Sequence, residues 1–181
     1  KETGVISSGA AVFIQGNAGA TIQPKFIQCT FRNNFCGNDG GAFSATPTGA
    51  GSLLAFEIDS CRFENNRASD RGAAVWYRMS SQGQSGVSIK NSQFIQNTAG
   101  GQGGAIYARS SFGNVAQDTI LNCFFSQNVA DGSSAFNDGE GGAIFLRGSQ
   151  TGIRNQHIIN CAFDRNFAED RAGAIGMTSF I

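Results

Sequence analysis

The sequence predicts an all-β chain wound as a right-handed, single-stranded parallel β-helix of five to six coils, each of about 31 residues. Three observations predict it. A G-G-A-I-like motif and an F-x-x-N motif both return at a nearly fixed interval, and periods of 20–50 residues mark solenoids, propellers or arrays. No window carries the 3.6-residue apolar period of an amphipathic helix. Glycine is abundant (25 residues), proline nearly absent (2), and charged residues make up only 14% of the chain, low against the usual quarter.

The alanine of the first motif falls at Ala11, Ala42, Ala74, Ala105, Ala143 and Ala174, and the phenylalanine of the second at Phe31, Phe63, Phe94, Phe125 and Phe163. The asparagines Asn34, Asn66, Asn97, Asn128 and Asn166 keep the same register. Steps are 31 or 32 residues, except one of 38 in each series. Both long steps include the interval from Phe125 to Ala143, so one corner in the fourth repeat carries a seven-residue insertion, read as a loop over residues 131–139. The whole of 1–181 reads as one repeat domain. It opens and stops mid-repeat without polar caps, as a segment of a longer solenoid would.

Within a repeat, the second half aligns as I-x-N-C-x-F-x-x-N-x-A. Alternation of Ile89, the Cys column (Cys29, Cys61, Ser92, Cys123, Cys161) and the phenylalanines describes a strand with one buried face. Just before the cysteines stand Gln28, Ser60, Asn91, Asn122 and Asn160, polar residues suited to a bend. The first half supplies another strand. Val12, Phe43, Val75, Ile106, Ile144 and Ile175 face inward on it, as do Ile14, Ala45, Tyr77, Ala108, Leu146 and Met177 two residues on. The preceding Gly/Ala pair turns a tight corner. Polar stretches such as 80–86 and 110–117 read as loops, giving three short strands and three corners per coil.

A single coil cannot satisfy its own backbone N–H and C=O groups, but neighbours about 4.8 Å above and below can. Like residues then form ladders: phenylalanine on phenylalanine inside, and asparagine amides bonded to one another or to the turn backbone. The crossovers should be right-handed. A β-propeller needs about four strands per blade and hairpin turns, for which the Asn-Gly signals are missing.

This motif pair resembles the repeats of the chlamydial polymorphic outer-membrane proteins. Gly103–Ile106 and Gly141–Ile144 are perfect G-G-A-I copies, every F-x-x-N is intact, and Gly72–Val75, Gly9–Val12 and Ala172–Ile175 are degenerate copies. The resemblance covers essentially the whole chain. It implies a β-helix of the pectin lyase-like kind in an extracellular or cell-surface setting, with an adhesive role. Partners would be a protein or glycan on a cell surface or in an extracellular assembly, including a homo-polymer of the chain.

Zero net charge argues against nucleic acid or anionic membrane as partner, and no apolar run is long enough for a membrane span. Four of five cysteines share one interior column, with Cys36 in a column otherwise filled by Ala68, Ala99, Ala130 and Ala168, so free thiols serving as small apolar filler are expected. No C-x-x-C or Cys/His cluster suggests zinc, and no cofactor is expected. His157 reads as a solvated loop residue. Asp59 and Lys90 read as a cross-coil ion pair, and Asp70-Arg71 and Asp170-Arg171 as solvated turn residues. The 131–139 insertion is acidic enough to hold a cation but lacks EF-hand spacing.

One surface feature stands out. Trp76, Tyr107 and Phe145 follow inward-facing residues and so point away from the core, with Arg78, Arg109 and Arg147 two residues further along the same face. Three stacked guanidinium groups repel unless something anionic screens them. Two readings stay open: a partner or glycan surface, or aromatics covered by a loop with carboxylates balancing the arginines. The expected function is non-enzymatic, a rigid adhesive or structural scaffold. A filament subunit is the alternative within that class. A carbohydrate-active, pectate-lyase-like enzyme is the alternative outside it, its site lying in the insertion or beyond this segment, because the clustered carboxylates such sites need are not found.

Overall fold

The computed structural model describes residues 9–180, apart from positions 10, 48, 80, 81, 112, 113, 136, 137 and 150–152. Every described regular element is a strand, and every strand pairs in parallel with the equivalent strand of the next coil. The front sheet has six strands in coil order: Val12–Gly16, Phe43–Pro47, Val75–Met79, Ile106–Ser111, Ile144–Ser149 and Ile175–Phe180. Its register matches like with like, Val75 on Ile106 and Ile106 on Ile144. The fold is a parallel β-solenoid.

The coil has four sheets where the sequence suggested three strands. One sheet takes two short strands from each early coil, such as Leu53–Leu54 and Glu57–Asp59, and one seven-residue strand from each later coil, Val115–Leu121 and Ile153–Ile159. The stretches expected as loops therefore contain strand residues, including Gln84–Ser85; positions 80, 81, 112 and 113 lie outside the described residues. The remaining two sheets stack strands such as Gln93–Ile95 and Thr98–Ala99. What separates them is a second bend. Gln28, Ser60, Asn91, Asn122 and Asn160 all adopt positive φ of 50–54°, as the bend reading required. So do Asn33, Asn65, Gln96, Gln127 and Arg165, at 48–58°, immediately before the ladder asparagines.

The third corner explains the G-G-A motif. Gly103 sits at φ 68°, where a Cβ is strained, and a Cβ on Gly104 would run into the carbonyl of Gly142 one coil on. Ala105 then points into the core, fully buried.

Inside, both ladders form. Phe31, Phe63, Phe94, Phe125 and Phe163 stack with ring centroids 4.7–5.0 Å apart and planes within 13° of parallel. Full burial of such a ring contributes roughly 2–3 kcal/mol. The asparagine ladder is satisfied on every side. Asn97 Oδ1 accepts from the backbone N–H of Asn66 (3.1 Å) and from Asn66 Nδ2 (2.9 Å), while Asn97 Nδ2 donates to Asn128 Oδ1 (2.9 Å) and to the Phe63 carbonyl (3.1 Å). Asn34, Asn128 and Asn166 continue the pattern. An unpaired buried turn group costs about 1–3 kcal/mol, so each asparagine removes a penalty that the corner would otherwise carry.

All five cysteines are free thiols. The column contributes polar contacts as well as filler: Cys61 donates its backbone N–H to the Ser92 hydroxyl (3.0 Å), and Cys123 donates its N–H to Cys161 Sγ (3.5 Å). Burial pushes the Cys123 thiol up to about 12, so it carries no thiolate at neutral pH.

Candidate binding face

The front sheet has two sides. Its inner side belongs to the core; its outer side carries the aromatic and arginine columns, in the register expected: Trp76 beside Tyr107, Tyr107 beside Phe145, Arg78 beside Arg109, Arg109 beside Arg147. The aromatics do point away from the core, yet they are not exposed. Trp76 is 6%, Tyr107 0% and Phe145 1% accessible, and the three form a small apolar cluster of their own. Tyr107 and Phe145 stack with centroids 6.0 Å apart.

The cover is the glycine corner. A Cβ on Gly72 would lie 3.1 Å from the Cβ atoms of Trp76 and Tyr107, which places the corner backbone directly on the column. Phe145 is flanked on the next front strand by Gly176, where a Cβ would lie 2.7 Å from its ring. Polar side chains complete the lid. The Arg71 guanidinium sits 5.3 Å from the Tyr107 ring centroid and forms a bidentate pair with Asp39 (3.0 and 3.2 Å) plus a contact with Asp70 (3.0 Å). The reading of Asp70-Arg71 as solvated is therefore wrong: Asp70 is 5% accessible, because the corner is pressed onto the aromatics. Asp170-Arg171, on the last described coil, is exposed as expected.

Burial pushes Asp39 up to about 6, against the opposing pull of Arg71. Burial also works against the charge of Arg71, but Asp39, Tyr107 and Asp70 outweigh it and its pKa rises. One column further, Gln102 donates to Glu140 (2.5 Å), and Glu140 pairs with Arg171 (3.6 Å).

In the arginine column, Arg78 and Arg109 form no ion pair among the described residues. Arg78, Arg109 and Arg147 are half-buried. No protein group accepts from the Nε of Arg78 or Arg109, and the nearby Trp76 Nε1 and Tyr107 hydroxyl are also buried without a protein partner. The pKa of Arg109 is lowered, first by burial and then by Arg78, Arg147 and Arg71, with only the Tyr107 phenol opposing. Asp39 and Asp70 are engaged one corner away, on Arg71.

Elsewhere the ionisable groups are engaged locally. Lys90 bridges Glu57 (2.5 Å) and Asp59 (3.7 Å), with Lys25 also on Glu57 (3.1 Å), so the cross-coil pair forms and Glu57 is its stronger member. His157 is exposed but lies on the strand Ile153–Ile159 rather than in a loop, paired with Thr119. The insertion packs down on the third coil: Ser134 donates to Asp70 (2.8 Å), and Asp131 caps Ser133. Positions 136 and 137 of it lie outside the described residues. Asp138, Glu169 and Asp170 line an open hollow there with Arg171. Among the described residues, no three His, Cys, Asp or Glu side chains converge as a metal site needs.

One polar cluster escaped the sequence reading. Asp118 is fully buried inside the solenoid and accepts from Ser85 (2.7 Å), the Val87 N–H (3.0 Å), Tyr77 (2.9 Å) and Gln156 (2.7 Å). Its signal was an acid in a column otherwise holding Pro24, Phe56, Val87 and Gln156. Four neutral donors make it a structural tie between opposing sheets.

A family model described as the Chlamydia polymorphic membrane protein repeat matches residues 28–46, 91–109 and 122–147. The second and third stretches run from a bend asparagine to Arg109 and Arg147, so each takes in a full F-x-x-N, the glycine corner and the first four residues of the front strand. No curated protein and no solved structure matches the chain. Three stretches of the chain are thus similar to the repeat of the Chlamydia polymorphic membrane protein family, within a chain wound as a parallel β-solenoid.

Proposed function

We propose that this chain is a surface-associated, non-enzymatic scaffold that holds an adhesive face rigidly away from the cell. The observation that carries the reading is the continuity of the ladders. Phenylalanine and asparagine rungs run through all five F-x-x-N repeats, so each coil is fixed by the one before it. Such quasi-one-dimensional packing gives stiffness along the axis and leaves the outer faces free to vary. The similarity to a membrane-protein repeat supports a surface location. The front face, with its arginine column, is the side that offers a partner something to bind.

The test is attachment. Beads coated with the folded chain should adhere to cell surfaces or extracellular matrix, whereas beads coated with heat-denatured chain should not. Equal attachment by both would overturn the adhesive reading.

A further inference from the structure

We propose that Asp118 is a register pin for the solenoid. Its carboxylate is satisfied only when the fourth coil, that of Phe125, stacks on the third, that of Phe94, and so it selects the correct order of coils against a slipped one. The inference stands independently of the adhesive reading, since it concerns how the scaffold assembles.

A solenoid needs such a device because its ladders are degenerate. Coils can nucleate anywhere along the chain and propagate from there, so two coils that are not neighbours can meet first. Phe125 stacks on Phe94 as Phe94 stacks on Phe63, and Asn128 bonds Asn97 as Asn97 bonds Asn66. A fourth coil laid on the second would find Phe63 and Asn66 where it now finds Phe94 and Asn97. The rungs give no preference between the two.

What distinguishes the third coil is polar. Tyr77 stands in a core column whose other members are Ile14, Ala45, Ala108, Leu146 and Met177. Ser85 follows Ile22 and Leu54 in a second column, which continues through Ala116 to Arg154. Asp118 breaks a third column, after Pro24, Phe56 and Val87. These three departures converge. Tyr77 and Ser85 donate to the Asp118 carboxylate at 2.9 and 2.7 Å, the Val87 N–H donates at 3.0 Å, and Gln156 of the following coil at 2.7 Å.

On the second coil the same carboxylate would face Ala45 and Leu54, which carry no side-chain donor. Of the three donors now supplied by the third coil, only the backbone N–H has a counterpart there, at Phe56. Burying a carboxylate short of hydrogen bonds is strongly unfavourable, so the slipped stack is rejected at this position. Closing the coil does not itself require the charge, because Phe56 and Val87 fill the same column and are fully buried. A buried polar group in an otherwise apolar column contributes specificity of register more than stability.

The experiment removes the pin and reads the register. Spin labels are placed at Thr30 and Ala162, exposed positions four coils apart in one stacked column, in a background with the native cysteines replaced. After refolding from denaturant, the parent should give one distance, close to 19 Å between attachment points at about 4.8 Å per coil. The triple variant Tyr77→Phe/Ser85→Ala/Asp118→Val makes the site apolar. It should give a second population about 4.8 Å shorter, the mark of a coil left out of the stack. Its melting temperature should equal or exceed that of the parent. A single distance in the triple variant overturns the proposal. So does a lowered melting temperature without a second distance, which would make Asp118 a stabilising tie alone. Should the triple variant fail to fold, Asp118→Asn keeps the shape without the charge and should show the shorter distance at a smaller fraction; a single distance there overturns the proposal equally.

Discussion

Asn97 Nδ2 donates to Asn128 Oδ1 at 2.9 Å, joining side chains 31 residues apart in the sequence and one coil apart in space. The bond is one rung of a ladder in which Asn66, Asn97 and Asn128 each donate to one neighbour and accept from the other.

Asn97→Leu should therefore cost more than a single hydrogen bond. It removes the acceptor of the Asn66 N–H and of one Asn66 Nδ2 hydrogen, the other still bonding the Phe31 carbonyl, and it removes a donor to the Phe63 carbonyl, all in a buried corner. At about 1–3 kcal/mol for each group left unpaired, a loss of at least about 3 kcal/mol is expected by chemical denaturation. A loss below about 0.5 kcal/mol would mean that the asparagines do not hold the corner.

Phe94→Ala removes a ring stacked on both sides, against Phe63 at 5.0 Å and Phe125 at 4.7 Å. The expected loss is about 3–5 kcal/mol, against less than about 0.5 kcal/mol for Gln84→Ala on an exposed strand position. Equal melting shifts would contradict the interior stack.

Asp39 gives a pH dependence whose sign follows from burial. Its folded-state pKa, about 6, lies above the ordinary aspartate value of 3.8. The folded form therefore holds the proton more tightly than the unfolded form, and this contribution is present in full below about pH 4 and lost as pH rises through 6. The melting temperature of the wild type relative to Asp39→Asn should rise as pH falls from 7 to 5, the full shift being worth about 2–3 kcal/mol. A difference that stays flat over that window would show that the carboxylate is ionised and solvated.

The cysteines should titrate as five free thiols in denaturant without reductant. In the native state Cys61 and Cys123, each 2% accessible, should react far more slowly than Cys29 and Cys161, which are half-buried. Recovery of a Cys29–Cys61 or Cys123–Cys161 cross-linked peptide would overturn the assignment.

The ladders, the bend before the cysteines and the insertion were legible in the sequence because each recurring position meets the same surroundings in every coil, and repetition averages out local noise. Strand alternation correctly set Trp76, Tyr107 and Phe145 on the outer side of the front sheet. It could not tell outward from exposed, because what buries them is a corner of the same and neighbouring coils whose path depends on Gly72, Gly103 and Gly141 at positive φ. The same corner buries Asp70, which no local pattern distinguishes from the exposed Asp170 of the last coil. Asp118 broke its column visibly, but its partner Tyr77 lies 41 residues away on the opposing sheet, and a pairing across the core leaves no trace in column alignment.

The most direct test of the solenoid is a ruler along one column. Thr30, Arg62, Gln93, Phe124 and Ala162 are stacked in register on successive coils, and Thr30, Gln93, Phe124 and Ala162 are exposed. In a background with Cys36→Ala and the other cysteines replaced by serine, the residue their column already holds at Ser92, spin-label pairs can be placed at Thr30 with each of the other three positions. Pulsed electron resonance should give narrow distance distributions rising by about 4.8 Å per coil, close to 10, 14 and 19 Å between attachment points. Distances that fail to rise with coil number, or a first and last repeat lying side by side as in a closed ring, would contradict the fold and everything built on it.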